Sequence, residues 1–144
     1  MADIRRIDDR ISVAPQISPG EVSEIAALGF VAIVNNRPDH EEGGQPDGDG
    51  IAAAAEAAGL AYTAIPVTPG GFTREQVEAM AAALAGAGGP VLAYCRSGTR
   101  SCNLWALAAA SAGGDPDTLV RMGRDAGYDL SPMLPVFQTL SGRE

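Results

Sequence analysis

The stretch Pro90-Val91-Leu92-Ala93-Tyr94-Cys95-Arg96-Ser97-Gly98-Thr99-Arg100-Ser101 decides how this chain is read. Its first five residues suit a buried strand, the next seven form a short polar loop, and the helical pattern Asn103-Leu104-Trp105-Ala106-Leu107-Ala108 follows at once. Cys95 therefore falls at a strand-to-helix turn. A loop of this kind can turn successive backbone N–H groups inward, and the positive end of the following helix adds to the same spot. Such a setting, with arginine on both sides, favours thiolate over thiol. Cys95 is the candidate nucleophile, and Arg100 the candidate side chain that holds an anion beside it through a planar, bidentate fork. Arg96, Ser97, Gly98, Thr99 and Ser101 complete an expected anion-binding loop, in which Gly98 supplies a backbone conformation that residues with a Cβ adopt reluctantly.

Working outward, strands and helices alternate. Ile11–Ala14, 30–35, 61–67 and 90–94 read as strands, and 18–29, 51–58, 73–85, 103–110, 115–126 and 131–140 as helices. Ser18 with Glu21, and Thr73 with Gln76, have the spacing of capping boxes. The pattern predicts an α/β fold, a mostly parallel central sheet flanked by helices in three α/β/α layers, forming one domain over residues 1–144. In such sheets sites lie at the carboxyl ends of the strands, where Cys95 falls. The polar loop from Arg37 to Gly48 leaves a neighbouring strand; Asn36, Arg37 and Asp39 are the candidate wall of the site, with an Arg37–Asp39 ion pair the alternative reading of two of them.

The 144 residues carry a net charge of −8, which argues against a nucleic-acid partner or a basic membrane-binding face. All ten positive side chains are arginines, which excludes Schiff-base chemistry through lysine. The charged start of the chain lacks the apolar core of a secretory signal and no apolar run reaches the roughly 18 residues of a membrane span, so a cytoplasmic location is expected. The single histidine, His40, cannot supply a triad or a metal site and reads as a solvated loop residue; no metal and no cofactor is expected. Cys102 reads as core or as a resolving thiol, and Trp105 as core.

Cys95-Arg96-Ser97-Gly98-Thr99-Arg100 has four residues between cysteine and arginine. It resembles the Cys-x4-Arg loop of rhodanese sulfurtransferases, one residue shorter than the Cys-x5-Arg signature of protein tyrosine phosphatases. Ile11-Ser12-Val13-Ala14-Pro15-Gln16, Asn35-Asn36-Arg37-Pro38-Asp39, Ile65-Pro66-Val67 and the helical tail instead resemble a compact dual-specificity phosphatase. The combination is similar to the phosphatase-like domain of β-lactamase-hydrolase-like proteins, over about residues 4–112. That resemblance implies a dual-specificity-phosphatase-like fold, and a persulfide dioxygenase as a partner or fused neighbour.

Two reactions compete. A shorter loop suits a small terminal sulfur better than a phosphoryl group, and Thr68-Pro69-Gly70-Gly71-Phe72-Thr73, where phosphatases of this fold carry their acid, contains no carboxylate. The favoured expectation is therefore a sulfurtransferase, in which Cys95 takes sulfur from a small anionic donor as a persulfide and passes it to a thiol. The alternative is a phosphatase acting on a phosphate ester through a phosphocysteine, with Asp39 as substitute acid if its strand neighbours that of Cys95. A non-catalytic module that holds an anion or carries a persulfide is the third.

Overall fold

The computed structural model describes residues 2–142; residues 1, 143 and 144 of the expected domain lie outside it. Strands β1 (Arg5–Arg6), β2 (Ile11–Ala14), β3 (Ala32–Asn35), β4 (Ala61–Ala64) and β5 (Val91–Tyr94) form one sheet in the order β1-β2-β5-β3-β4. All neighbours are parallel except β1, which runs antiparallel to β2. Helices α1 (Val22–Ala27), α2 (Gly48–Ala57), α3 (Arg74–Gly86), α4 (Thr99–Ser111), α5 (Pro116–Asp125) and α6 (Leu134–Ser141) cover its faces. None of the described helices is long and apolar enough to cross a membrane.

The period-two geometry of a strand divides the core in two. Val91 and Ala93 pack with Val13, Val34, Met80, Leu104, Leu107 and Phe137, whereas Leu92 and Tyr94 face the other way, among Ile33, Ile25, Ile51 and Val22. Strand β5 is buried on both faces, which is why Val91-Leu92-Ala93-Tyr94 reads as a continuous apolar run. As the central strand, it ends where β2 and β3 end.

Several boundaries differ from expectation, each for a local reason. The first helix opens as a 3-10 turn over Pro19–Glu21, with the Ser18 N–H donating to the Glu21 carboxylate at 2.9 Å. The expected strand over 61–67 stops at Ala64, although the N–H groups of Ile65 and Val67 still donate to the carbonyls of Asn35 and Asn36; Pro66 between them has no N–H. Helix α2 begins at Gly48 rather than at 51, because Asp39 reaches back to accept the Gly48 N–H at 2.8 Å. Helix α4 begins at Thr99 rather than at 103, inside the cysteine loop. Strand β1 was not expected: its two arginines are exposed and carry no apolar alternation.

Candidate active site

Cys95 is fully buried at the end of β5. Its N–H donates to the Ala14 carbonyl on one side, while on the other the Asn36 N–H donates to the Tyr94 carbonyl. The backbone then turns through Gly98, at φ +94°, and the Gly98 N–H donates to the Cys95 sulfur at 3.1 Å. Thr99 starts α4 immediately beyond, so the sulfur lies at the helix end whose partial charge favours an anion. The Ser97 hydroxyl braces this turn, accepting from the Thr99 N–H at 3.4 Å and donating to Thr99 Oγ1 at 3.0 Å. Arg96 is exposed at the rim, 3.8 Å from a Glu42 oxygen.

Arg100 is held in place by a residue the sequence did not single out. Its Nη1 and Nη2 donate to the two carboxylate oxygens of Glu41 at 2.8 and 2.9 Å, and Nη1 also donates to the Val67 carbonyl at 2.7 Å. Of its five N–H donors this leaves Nε and one on Nη2 to face the Cys95 side chain, with which Arg100 also interacts, and a ligand. The bond to Glu41 strengthens the Arg100 charge most; burial works against it and the nearby Cys95 charge adds to it. Arg37 in turn fastens the acidic loop. Its side chain, 2% exposed, donates through Nε to Glu41 at 2.9 Å, through Nη2 to Glu42 at 2.9 Å and through Nη1 to Gln16 at 3.0 Å. Burial opposes the Arg37 charge and the two carboxylates outweigh it. Three guanidinium groups face two carboxylates, which leaves one positive charge for the thiolate or an incoming anion.

The candidate wall residues have other tasks. The Asn36 side chain is buried, accepting from Ser101 Oγ at 2.8 Å and donating to the Ile65 carbonyl at 3.0 Å. Ser101 thus ties the first turn of α4 to the end of β3, and its hydroxyl does not point to a ligand. The expected Arg37–Asp39 pair is corrected: Arg37 turns to Glu41 and Glu42, and Asp39 caps α2. The strand preceding Asp39 does neighbour that of Cys95, but a carboxylate engaged with the Gly48 N–H is poorly placed to protonate a leaving group. Cys102 packs beneath the loop against Gly123 and Leu130, and burial, helped by the Cys95 charge, pushes its thiol up to about 12. Such a thiol is inert, as a core cysteine should be.

Glu41 sits 59 residues from Arg100 in sequence and follows His40, whose φ of +66° turns the loop back toward the site. In sequence, His40-Glu41-Glu42 reads only as a solvated acidic run. In the fold, the bonds from Arg100, opposed by burial and helped by Arg37, hold the Glu41 carboxyl at about 2 instead of 4.5. A folded value below the unfolded one means a contribution to stability that is full above about pH 4.5 and lost as pH falls through about 2. Urea titrations of wild type should show this acid-side loss. In Glu41→Gln the same pH-dependent component should be missing, on a lower baseline at neutral pH.

A parallel sheet, a cysteine at the end of its central strand and an arginine closing the loop at a helix N-terminus define the cysteine phosphatase-like class. Residues 3–112 match the model of the phosphatase-like domain of beta-lactamase hydrolase-like proteins. The chain belongs to this family. It is 38% identical over 125 residues to the beta-lactamase hydrolase-like protein of Xylella fastidiosa and 37% over 126 residues to that of Agrobacterium fabrum. These matches take in 86% and 87% of this chain but only 29% of either relative, so the chain spans less than a third of their length. A candidate phosphatase from Neisseria meningitidis superposes with a TM-score of 0.83 at 34% identity, covering 95% of this chain and 97% of its own. The active form of Tk-PTP shares the fold, at TM-score 0.75 and 20% identity over 98% of this chain and 97% of its own. These findings favour the phosphatase over the sulfurtransferase expected first.

Proposed function

We propose that the protein is a cysteine-dependent phosphatase acting on aryl phosphate monoesters. The Cys95 sulfur attacks phosphorus, the S–P bond forms as the ester O–P bond breaks, and the phenolate departs; water then displaces phosphate and restores the thiolate. The observation that carries the reading is the Arg100–Glu41 bidentate pair. It fixes the guanidinium beside Cys95 with two N–H donors not taken by Glu41 or Val67, which can turn from the sulfur to the oxygens of a phosphoryl group. Phosphoryl transfer asks a protein mainly for positioning and for donors around the equatorial oxygens. The Gly98 N–H, the start of α4 and Arg100 supply both.

The nearby carboxylates narrow the substrate. Glu41 is held ionised by Arg100, Glu42 is bonded to Arg37, and Asp39 caps α2. With none of these poised to give a proton, a phenol leaves more readily than an alcohol. Sulfur transfer remains the second reading, and the four-residue loop with its carboxylate-free 68–73 segment is what favours it. One preparation assayed in parallel on an aryl phosphate, an alkyl phosphate and thiosulfate decides. Hydrolysis should be fastest with the aryl ester. Thiosulfate turnover without hydrolysis would transfer the assignment to the second reading.

A further inference from the structure

We infer that Tyr128 is a positioning residue for the cysteine loop, its hydroxyl fixing the peptide between Ser97 and Gly98 so that the Gly98 N–H stays on the Cys95 sulfur. The two ends of one peptide unit carry the inference. The Tyr128 hydroxyl donates to the Ser97 carbonyl at 3.1 Å, and the Gly98 N–H donates to Cys95 Sγ at 3.1 Å. In a planar trans peptide the carbonyl and the N–H point in opposite directions, so anchoring one outward directs the other inward. Glycine leaves this unit free to rotate. A turned-over peptide would withdraw the donor and aim a carbonyl oxygen at the thiolate.

Tyr128 is itself fixed from behind. Its ring closes over Gly98 so tightly that a Cβ at position 98 would collide with the hydroxyl. The Arg5 guanidinium lies over the ring, 6.0 Å from its centroid, donates to the Ala126 carbonyl at 3.4 Å and pairs with Asp3 at 3.2 Å. Gly127, at φ +100°, leaves the space that Arg5 Nη1 occupies. Strand β1, the connection after α5 and the cysteine loop therefore interlock through one side chain. Tyr128 lies beyond the 3–112 segment that carries the family match. The charged and titratable groups around its hydroxyl are Arg5, Asp3, Cys95 and Cys102.

The role rests on Cys95 being the nucleophile, but it is testable without turnover. Tyr128→Phe keeps the ring against Gly98 and Arg5 and deletes only the anchor. In the full chain, alkylation of Cys95 by iodoacetamide at a fixed neutral pH should slow about tenfold, as the loss of a hydrogen bond to a charged sulfur requires. The Gly98 amide should exchange with solvent about tenfold faster, one further consequence of the released peptide. A residue that only filled space would leave both unchanged, and equal alkylation rates for Tyr128→Phe and wild type would overturn the inference. Absence of hydrolysis by the wild type would instead count against the phosphatase reading alone.

Discussion

Cys95→Ser should lower turnover by about 10^4-fold or more, because a buried serine hydroxyl at this position has no base to activate it. Thiolate chemistry depends on an anion that a helix end, one backbone N–H and a guanidinium can stabilise directly. A hydroxyl is ionised too weakly for the same three groups to rescue it. The fold should survive: serine is nearly isosteric, Arg100 keeps its bonds to Glu41 and Val67, and the Tyr94-Asn36 ladder bond involves only backbone. Unchanged circular dichroism beside lost activity is the expected pair of results. Retained hydrolysis in the serine variant would remove Cys95 from the reaction.

Arg100→Lys should cost about 10²-fold, comparable to deleting a positioned transition-state donor. Lysine preserves the charge and can still meet one Glu41 oxygen. It cannot hold both oxygens of Glu41, the Val67 carbonyl and two substrate oxygens at once, since its ammonium has three donors around one nitrogen. Arg96→Ala is the control, because the Arg96 side chain is exposed and pairs with Glu42 at 3.8 Å, while the carbonyl that accepts the Gln16 N–H is kept. It should change the rate by less than about tenfold. Arg96→Ala being the more damaging of the two would reverse the roles given to these arginines.

The centre of this architecture was legible in sequence because local pattern and tertiary environment agree there. Val91-Leu92-Ala93-Tyr94 can only be a doubly buried strand, and Cys95-Arg96-Ser97-Gly98-Thr99-Arg100 follows it without a spacer. The start of α4 was misplaced because Thr99, Arg100 and Ser101 are polar, and apolar periodicity is blind to a helical turn whose side chains make polar contacts. Glu41 and Tyr128 were illegible for a different reason. Each acts across a long loop closure, 59 residues to Arg100 and 31 to Ser97, and neither lies in a motif. Asp39, the substitute acid suggested by a strand next to that of Cys95, accepts the Gly48 N–H instead, and it is Glu41 that reaches Arg100 because the left-handed residue His40 turns the chain between them.

Loop length suggested sulfur chemistry, and the geometry explains why it does not decide the reaction by itself. The Cys95 loop is short, yet the helix starts inside it, so Thr99 and Arg100 belong to α4 and their positions follow from helix geometry rather than loop size. Beside the Gly98 N–H stands Arg100, whose reach is set by Glu41.

The most direct test is the intact mass of wild-type protein quenched in acid within milliseconds of mixing with an aryl phosphate. A phosphocysteine intermediate predicts an adduct of about 80 Da on the intact protein, absent from Cys95→Ser. No phosphate adduct, together with an adduct of about 32 Da after thiosulfate that dithiothreitol removes, would contradict the account and identify a persulfide enzyme instead.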